Sequence, residues 1–254
     1  MKIALCFYGL LGSIKGKSGD RKGNPLDILE LAFPHYKKHI LDKNNVDVFI
    51  HSWDVDLQSE IIKKYKPKDY IFEPIAKFEI VPPLKDTQRV QNHCCRWYSS
   101  YEVNKLKSKY EDAHKFKYDF VMLTRQDIAW QVDINFSNLN PDYFYVAEWK
   151  HQFHDGVYMG YPYGDYNKSL IDSWSFSNSK NMDEVCNMFN DIPLYCTENP
   201  ELMGYKGISN HRLLYYKLVK MGIIPNKIKF PIKHDIVSRC EMPLVRYKYF
   251  NDKT

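Results

Sequence analysis

Hydrophobic and polar positions along this chain switch repeatedly between a two-residue and a near-four-residue period, which predicts strands alternating with helices. Ile3-Ala4-Leu5-Cys6-Phe7-Tyr8 is apolar throughout, the pattern of a strand covered on both faces. Gly9 and Gly12 close it, and residues 11–24 carry four Gly, three Lys, one Arg and one Asp, a flexible basic loop. Pro25 suits the first turn of a helix that runs through Leu26, Leu29, Ala32 and Phe33, with Pro34 placed to kink or restart it. A second strand follows at Val46 to His51, a short helix at Leu57 to Tyr65 and a brief third strand at Tyr70 to Glu73. A long helix is expected over Thr87 to Ala113, with Trp97, Tyr101, Leu106 and Tyr110 near one face.

Phe120 to Leu123 is again a short apolar run that leads into a polar tip, Thr124-Arg125-Gln126-Asp127. Tyr143 to Val146 is a further strand. Asn181 is placed to cap a helix from Met182, and a helix from about Ser209 to Met221 ends at Gly222, a good C-terminal cap. Strands alternating with helices through residue 130 argue for a parallel or mixed sheet with helices on both faces. The second half is less regular. No linker or internal repeat divides the chain, so one domain is expected over 1–254.

Composition narrows the class. The 254 residues are 44% hydrophobic and 26% charged, which suits a globular fold. Aromatics reach 15%, enough for a rigid core or for ring-stacking surfaces. The net charge of +5 favours anionic ligands such as phosphates, or peripheral contact with an anionic membrane surface. No nucleic-acid motif is present. The six Cys show neither zinc spacing nor a dense disulfide framework, so a reducing cytoplasm is the natural compartment. No apolar run reaches membrane-spanning length.

The candidate chemistry sits at strand ends. In open α/β sheets, ligands bind outside the carboxyl ends of the strands. There an Arg such as Arg125 can hold a phosphate and an acid such as Asp127 a divalent cation; a surface ion pair is the plainer alternative. Gly12-Ser13-Ile14-Lys15-Gly16-Lys17-Ser18 imitates a phosphate-binding P-loop but has three residues between its glycines, where the motif needs four, and no helix start follows. Lys15, Lys17 or Arg21 could still touch a diphosphate from a basic loop. His51, Trp53 and Asp54 end the second strand, either as packed groups or at the mouth of a nucleotide pocket. Asp172 precedes the alternating aromatics Trp174 and Phe176, either as a turn residue or as a catalytic carboxylate. His151, His154 and Asp155 make a weak metal signal and fit an acceptor loop better.

The ordered set of these segments resembles a family of small glycosyltransferases of bacteria, phages and large DNA viruses. The matches are Cys6-Phe7-Tyr8-Gly9, Asp47 to Trp53, Tyr98-Ser99 with Lys107 and Glu111, Tyr118 to Ile128, Asp172 to Asn178, and the helix ending Gly222-Ile223, covering roughly 1–225. The resemblance implies an α/β GT-A-like fold with a mixed, mostly parallel sheet flanked by helices, its nucleotide-binding half at about 1–130 and its acceptor-binding half at about 131–254. It also implies transfer of a sugar from a nucleotide-sugar donor to a glycan acceptor. Tyr8, Gly9, Lys15, Arg21, His51, Trp53, Ser99, Arg125 and Asp127 would bind the donor, and Asp127 would hold Mn²⁺ or Mg²⁺. An inverting enzyme needs a base near the acceptor hydroxyl; Asp172 is the first candidate and Asp155 the second. Two departures stand out. Arg125 occupies the first position of the family's Asp-x-Asp metal motif, and Gly9-Leu10-Leu11-Gly12 replaces an opening that often reads Gly-Gln-x-Arg. A non-catalytic nucleotide- or glycan-binding protein of the same fold, and a kinase using the Gly-rich loop, are the rival expectations.

Overall fold

The computed structural model describes residues 1–11, 25–79, 87–130, 132–146, 153–154, 157–158, 170–198, 209–224 and 227–229. Strands β1 (Ile3–Gly9), β2 (Val46–Ser52), β3 (Asp69–Phe72), β4 (Phe120–Thr124), β5 (Phe144–Val146), β8 (Trp174–Ser177) and β9 (Ile228–Lys229) form one sheet in the order β3-β2-β1-β4-β8-β5-β9. Strands β6 (Phe153–His154) and β7 (Val157–Tyr158) pair separately as an antiparallel ribbon. Within the large sheet, β8 alone runs antiparallel to its neighbours β4 and β5. The architecture is therefore α/β with a mostly parallel mixed sheet.

The period-two alternation sorts side chains onto two faces. Ile3, Leu5 and Phe7 of β1 pack with Phe120 and Met122 of β4 beneath α1 (Pro25–His39) and α2 (Gln58–Tyr65), against Ile28, Leu29, Ala32, Tyr36, Ile61 and Tyr65. Ala4, Cys6 and Tyr8 face the other way with Val121 and Leu123, under α3 (Thr87–His114), α4 (Ser179–Cys186), α5 (Met188–Glu198) and α6 (Asn210–Lys220). Every β1 residue up to Tyr8 is buried, which is why the strand reads as an unbroken apolar run. Each fully buried large apolar side chain here contributes roughly 1.5–3 kcal/mol before entropy is counted.

Local chemistry explains the helix ends. α1 opens on Pro25, where the missing N–H costs nothing, with Asp27 in its first turn and Lys37, Lys38 and His39 in its last. Pro34 lies inside α1 without ending it. α4 begins three residues earlier than the capping signal at Asn181 predicts. The cap is Asn178, whose side chain accepts the Asn181 N–H, so Asn181 is the receiver of the cap. Gly222 adopts φ +68° just past α6, as its C-terminal role requires.

The connectivity positions the site. The chain steps outward from β1 through α1 to β2 and through α2 to β3. The 28-residue α3 then carries it back across β1 and β2 to β4, on the opposite side of β1. Strand order reverses between β1 and β4, and the crevice at their carboxyl ends is the topological switch point of the sheet. Among the described residues no helix is long and apolar enough to cross a membrane. The five described cysteines are unpaired thiols.

Candidate functional site

The tips of β1, β2 and β4 and the turn before β8 meet at this switch point. Gly9 ends β1 with φ +86°, a conformation that an L side chain adopts only under strain. Its N–H donates to Ser99 Oγ at 2.7 Å, and its carbonyl accepts from the Ser52 hydroxyl at 3.1 Å and from the Trp53 N–H at 3.3 Å. The β1 turn is thus tied to both α3 and β2.

His51 and Ser99 extend that tie. His51 Nε2 lies 3.0 Å from Glu73 Oε1, and Nδ1 lies 2.7 Å from Ser99 Oγ. Burial, the largest influence, pulls the imidazole pKa below its ordinary value despite Glu73, so the neutral ring is favoured. One tautomer then satisfies every atom: Gly9 N–H donates to Ser99 Oγ, Ser99 O–H donates to His51 Nδ1, and His51 Nε2–H donates to Glu73. The edge of His51 meets Trp53 at 4.7 Å, and Trp53 stacks on Tyr98 at 5.7 Å. His51 and Ser99 are fully buried and Trp53 nearly so. These expected donor-binding residues are the packed wall behind the crevice.

Asp54 joins the same corner. Its Oδ2 accepts the Leu11 N–H at 2.7 Å, where the chain leaves β1. Burial pushes its carboxyl up to about 6, with Asp127 adding a repulsive contribution.

At the end of β4, Arg125 grips Asp127 with two bonds, Nε to Oδ1 and Nη2 to Oδ2, both 2.7 Å. The Asp127 side chain has no exposed surface, while a quarter of the Arg125 side chain is exposed. The carboxylate therefore works from behind, orienting the guanidinium. Each of its oxygens accepts one bond from Arg125, and no group of three His, Cys, Asp or Glu that could hold a metal occurs among the described residues. The Arg125 carbonyl accepts the Tyr36 hydroxyl, which also meets Thr124 Oγ1 at 3.0 Å, so the strand tip is anchored to α1.

Asp172 closes the crevice from the β8 side. Its backbone carbonyl accepts the Tyr8 hydroxyl at 2.7 Å and Arg96 Nη2 at 3.0 Å. Its Oδ2 accepts Arg96 Nε at 3.2 Å, and its Oδ1 lies 3.0 Å from His211 Nδ1. Burial would raise this carboxyl, but His211, Arg96 and His93 overcome it and hold the pKa well below the ordinary carboxylate range. A carboxylate so acidic is a weak proton acceptor. Arg96 also lies over the Tyr8 ring at 4.7 Å. Burial pushes the Tyr8 hydroxyl up to about 12, with Arg96 opposing, so Tyr8 stays a neutral donor.

Tyr8, Gly9, His51, Trp53, Ser99, Arg125, Asp127 and Asp172 thus line or support one corner of the fold. Lys15, Arg21 and Asp155 lie outside the described residues. Sequence reasoning did not single out Arg96, Glu73, Gln126 or His211. Nothing in the sequence gives Arg96 and Glu73 partners; the return of α3 across the sheet brings Arg96 to Asp172, and β2 brings His51 to Glu73. No family model matches the chain, and no curated protein is similar to it by sequence.

Proposed function

We propose that this protein is a GT-A-like glycosyltransferase that moves a sugar from a nucleotide-sugar donor to a glycan acceptor. The observation that carries the reading is the guanidinium of Arg125, held by a buried carboxylate at the switch point of a doubly wound sheet. The motif resemblance across residues 1–225 supports the same class.

Glycosyl transfer breaks the bond between the anomeric carbon and the diphosphate oxygen, and the diphosphate leaves with the electron pair. A fixed cation facing that oxygen stabilises the charge as it develops. Arg125 carries this role: its planar fork matches phosphate oxygens, and Asp127 fixes its orientation in advance. The acceptor hydroxyl attacks the anomeric carbon and gives up a proton. We assign that proton to His211, whose Nδ1 faces both Asp172 Oδ1 and the Leu170 carbonyl at 2.9 Å, which selects the tautomer with Nε2 as acceptor. Asp172 then acts through His211 as an orienting anion.

The test is a thermal-shift screen against UDP-, GDP-, dTDP- and CMP-linked sugars, each with and without Mn²⁺, followed by transfer and donor-hydrolysis assays. A donor well above its dissociation constant stabilises by about 3 kcal/mol. Stabilisation by one nucleotide class that ignores Mn²⁺ supports the Arg125 assignment; a shift that requires Mn²⁺ moves the charge to a cation at Asp127. Donor binding with neither transfer nor hydrolysis across a broad acceptor panel makes the protein a binding module. No shift with any donor rejects the reading.

A further inference from the structure

The hydrogen bonds behind the crevice run in one direction, from Glu73 to the end of β1. The Glu73 carboxylate only accepts, so its 3.0 Å contact with His51 Nε2 requires the ring proton there and leaves Nδ1 bare. The Ser99 hydroxyl has two acceptors in reach, His51 Nδ1 at 2.7 Å and the His51 carbonyl at 3.3 Å. The bare nitrogen lies closer and takes the hydroxyl proton. The Ser99 oxygen is then left to accept the Gly9 N–H at 2.7 Å. Each bond in such a chain polarises and strengthens the next. His51 and Ser99 are fully buried, so water does not replace either partner.

The turn held by this chain opens on the crevice. Gly9 is the last residue of β1 and less buried than the residues before it. Its φ is +86°, and among the described residues no atom lies within 4 Å of where a Cβ would stand. Its Cα therefore borders open space, where a ligand can approach the backbone closely. Phe7 is the partner of Thr124 across the β1–β4 pair, and adjacent strands lie about 4.8 Å apart, so Gly9 leaves the sheet beside Arg125. The N–H and carbonyl of Gly9 are already engaged by Ser99, Ser52 and Trp53. A ligand at this turn meets a shape, and that shape is set from behind.

We infer that His51 is a positioning residue for the donor: through the Ser99 hydroxyl it holds the Gly9 turn in the shape that borders the bound diphosphate. The inference rests on the transferase reading above. His51 and Ser99 are sealed, so neither touches the donor, and both act through Gly9. Glu73 contributes by selecting the tautomer.

The experiment titrates UDP-, GDP- and dTDP-linked hexoses into the full chain as wild type, His51→Gln, His51→Asn, Ser99→Ala and the His51→Gln/Ser99→Ala double variant. The amide of Asn stands as many bonds from Cβ as Nδ1 does, and the amide of Gln as many as Nε2. His51→Asn therefore keeps an acceptor for Ser99, whereas His51→Gln keeps only a donor for Glu73. His51→Gln and Ser99→Ala are each expected to lose about tenfold in affinity, the worth of one hydrogen bond. His51→Asn is expected to recover most of that loss. The double variant is expected to lose no more than either single one, because both cut the same chain. Imidazole nitrogen NMR of the ligand-free wild type is expected to show Nδ1 bare and Nε2 protonated. The reverse tautomer overturns the inference, as do equal losses in His51→Gln and His51→Asn or losses that add in the double variant. A lower melting temperature with unchanged affinity in Ser99→Ala shows a purely structural role and also overturns it. Any of these results with a wild type that binds leaves the transferase reading standing; a wild type that binds none of the probes overturns that reading and this inference with it. If His51→Gln fails to fold, Ser99→Ala, which removes a single oxygen atom, is compared with His51→Asn, and equal affinities there overturn the inference.

Discussion

Arg125 and Asp127 lie two residues apart at the end of β4 and are joined by two parallel bonds of 2.7 Å, with the acid sealed and the base partly open. The carboxylate sits behind the guanidinium, and the exposed part of the pair belongs to Arg125. Asp127→Asn removes the charge that orients Arg125 and leaves the guanidinium to find water. We expect a folded protein weakened by about 2 kcal/mol, with transfer lost. Retained wild-type turnover would sink the assignment. Arg125→Lys keeps the charge but not the fork, and is expected to weaken donor affinity about tenfold by titration, roughly the worth of one charge-assisted hydrogen bond.

His51 makes stability depend on pH. Its folded pKa is lowered from 6.5, with burial as the main cause. The unfolded chain therefore binds the proton more readily than the folded one. Stability is full above about pH 6.5 and falls as the pH drops below that value towards the lowered folded pKa. His51→Gln cannot take up this proton, so melting curves recorded from pH 7.5 to 5 should show a shallower acid slope for the variant. Parallel slopes would remove His51 from the account.

Asp54 has the opposite sign. Burial raises its carboxyl from 3.8 to about 6, so the folded state holds the proton more tightly and loses stability as the pH rises through that interval. Asp54→Asn keeps an oxygen for the Leu11 N–H while removing the buried charge. The variant is expected to melt higher than wild type at pH 7.5 and to lose that advantage at pH 4. An equal difference at both values would show that charge is not the cause.

Away from the crevice, Lys107 is buried with no exposed side-chain surface, and its ammonium meets Glu111 at 3.0 Å, Ser179 at 2.8 Å and Asp183 at 2.6 Å. Three donors find three acceptors, and α3 is fastened to α4. Lys107→Met leaves Glu111 buried with only Lys117, the Tyr118 N–H and the Ser179 hydroxyl. Urea unfolding is expected to report a loss of about 3 kcal/mol, the lower end for a broken buried pair, and a change within about 0.5 kcal/mol, typical of a surface site, would contradict the network.

The apolar runs of β1, β2 and β4 and the long α3 were legible because burial on both faces leaves a continuous hydrophobic signature, and a helix of that length repeats its pattern many times. β8 was not read as a strand. Its serines look like a turn, yet Ser175 and Ser177 are buried, and Ser177 donates to the Tyr143 carbonyl at 2.9 Å. The α4 start was misplaced because Asn178 and Asn181 are equally good capping types, and only the backbone decides which one receives. At the site, the sequence by itself determined which chemical groups stand at strand ends: Gly9, His51, Trp53, Arg125, Asp127 and Asp172. What each group faces was decided only by tertiary structure. Parallel pairing brings the β1 and β4 tips together, α3 delivers Ser99 to Gly9 from 90 residues away and Arg96 to Asp172, and burial pairs Asp127 with Arg125. Residue type travels along the chain, whereas exposure, partners and pKa belong to the packed molecule.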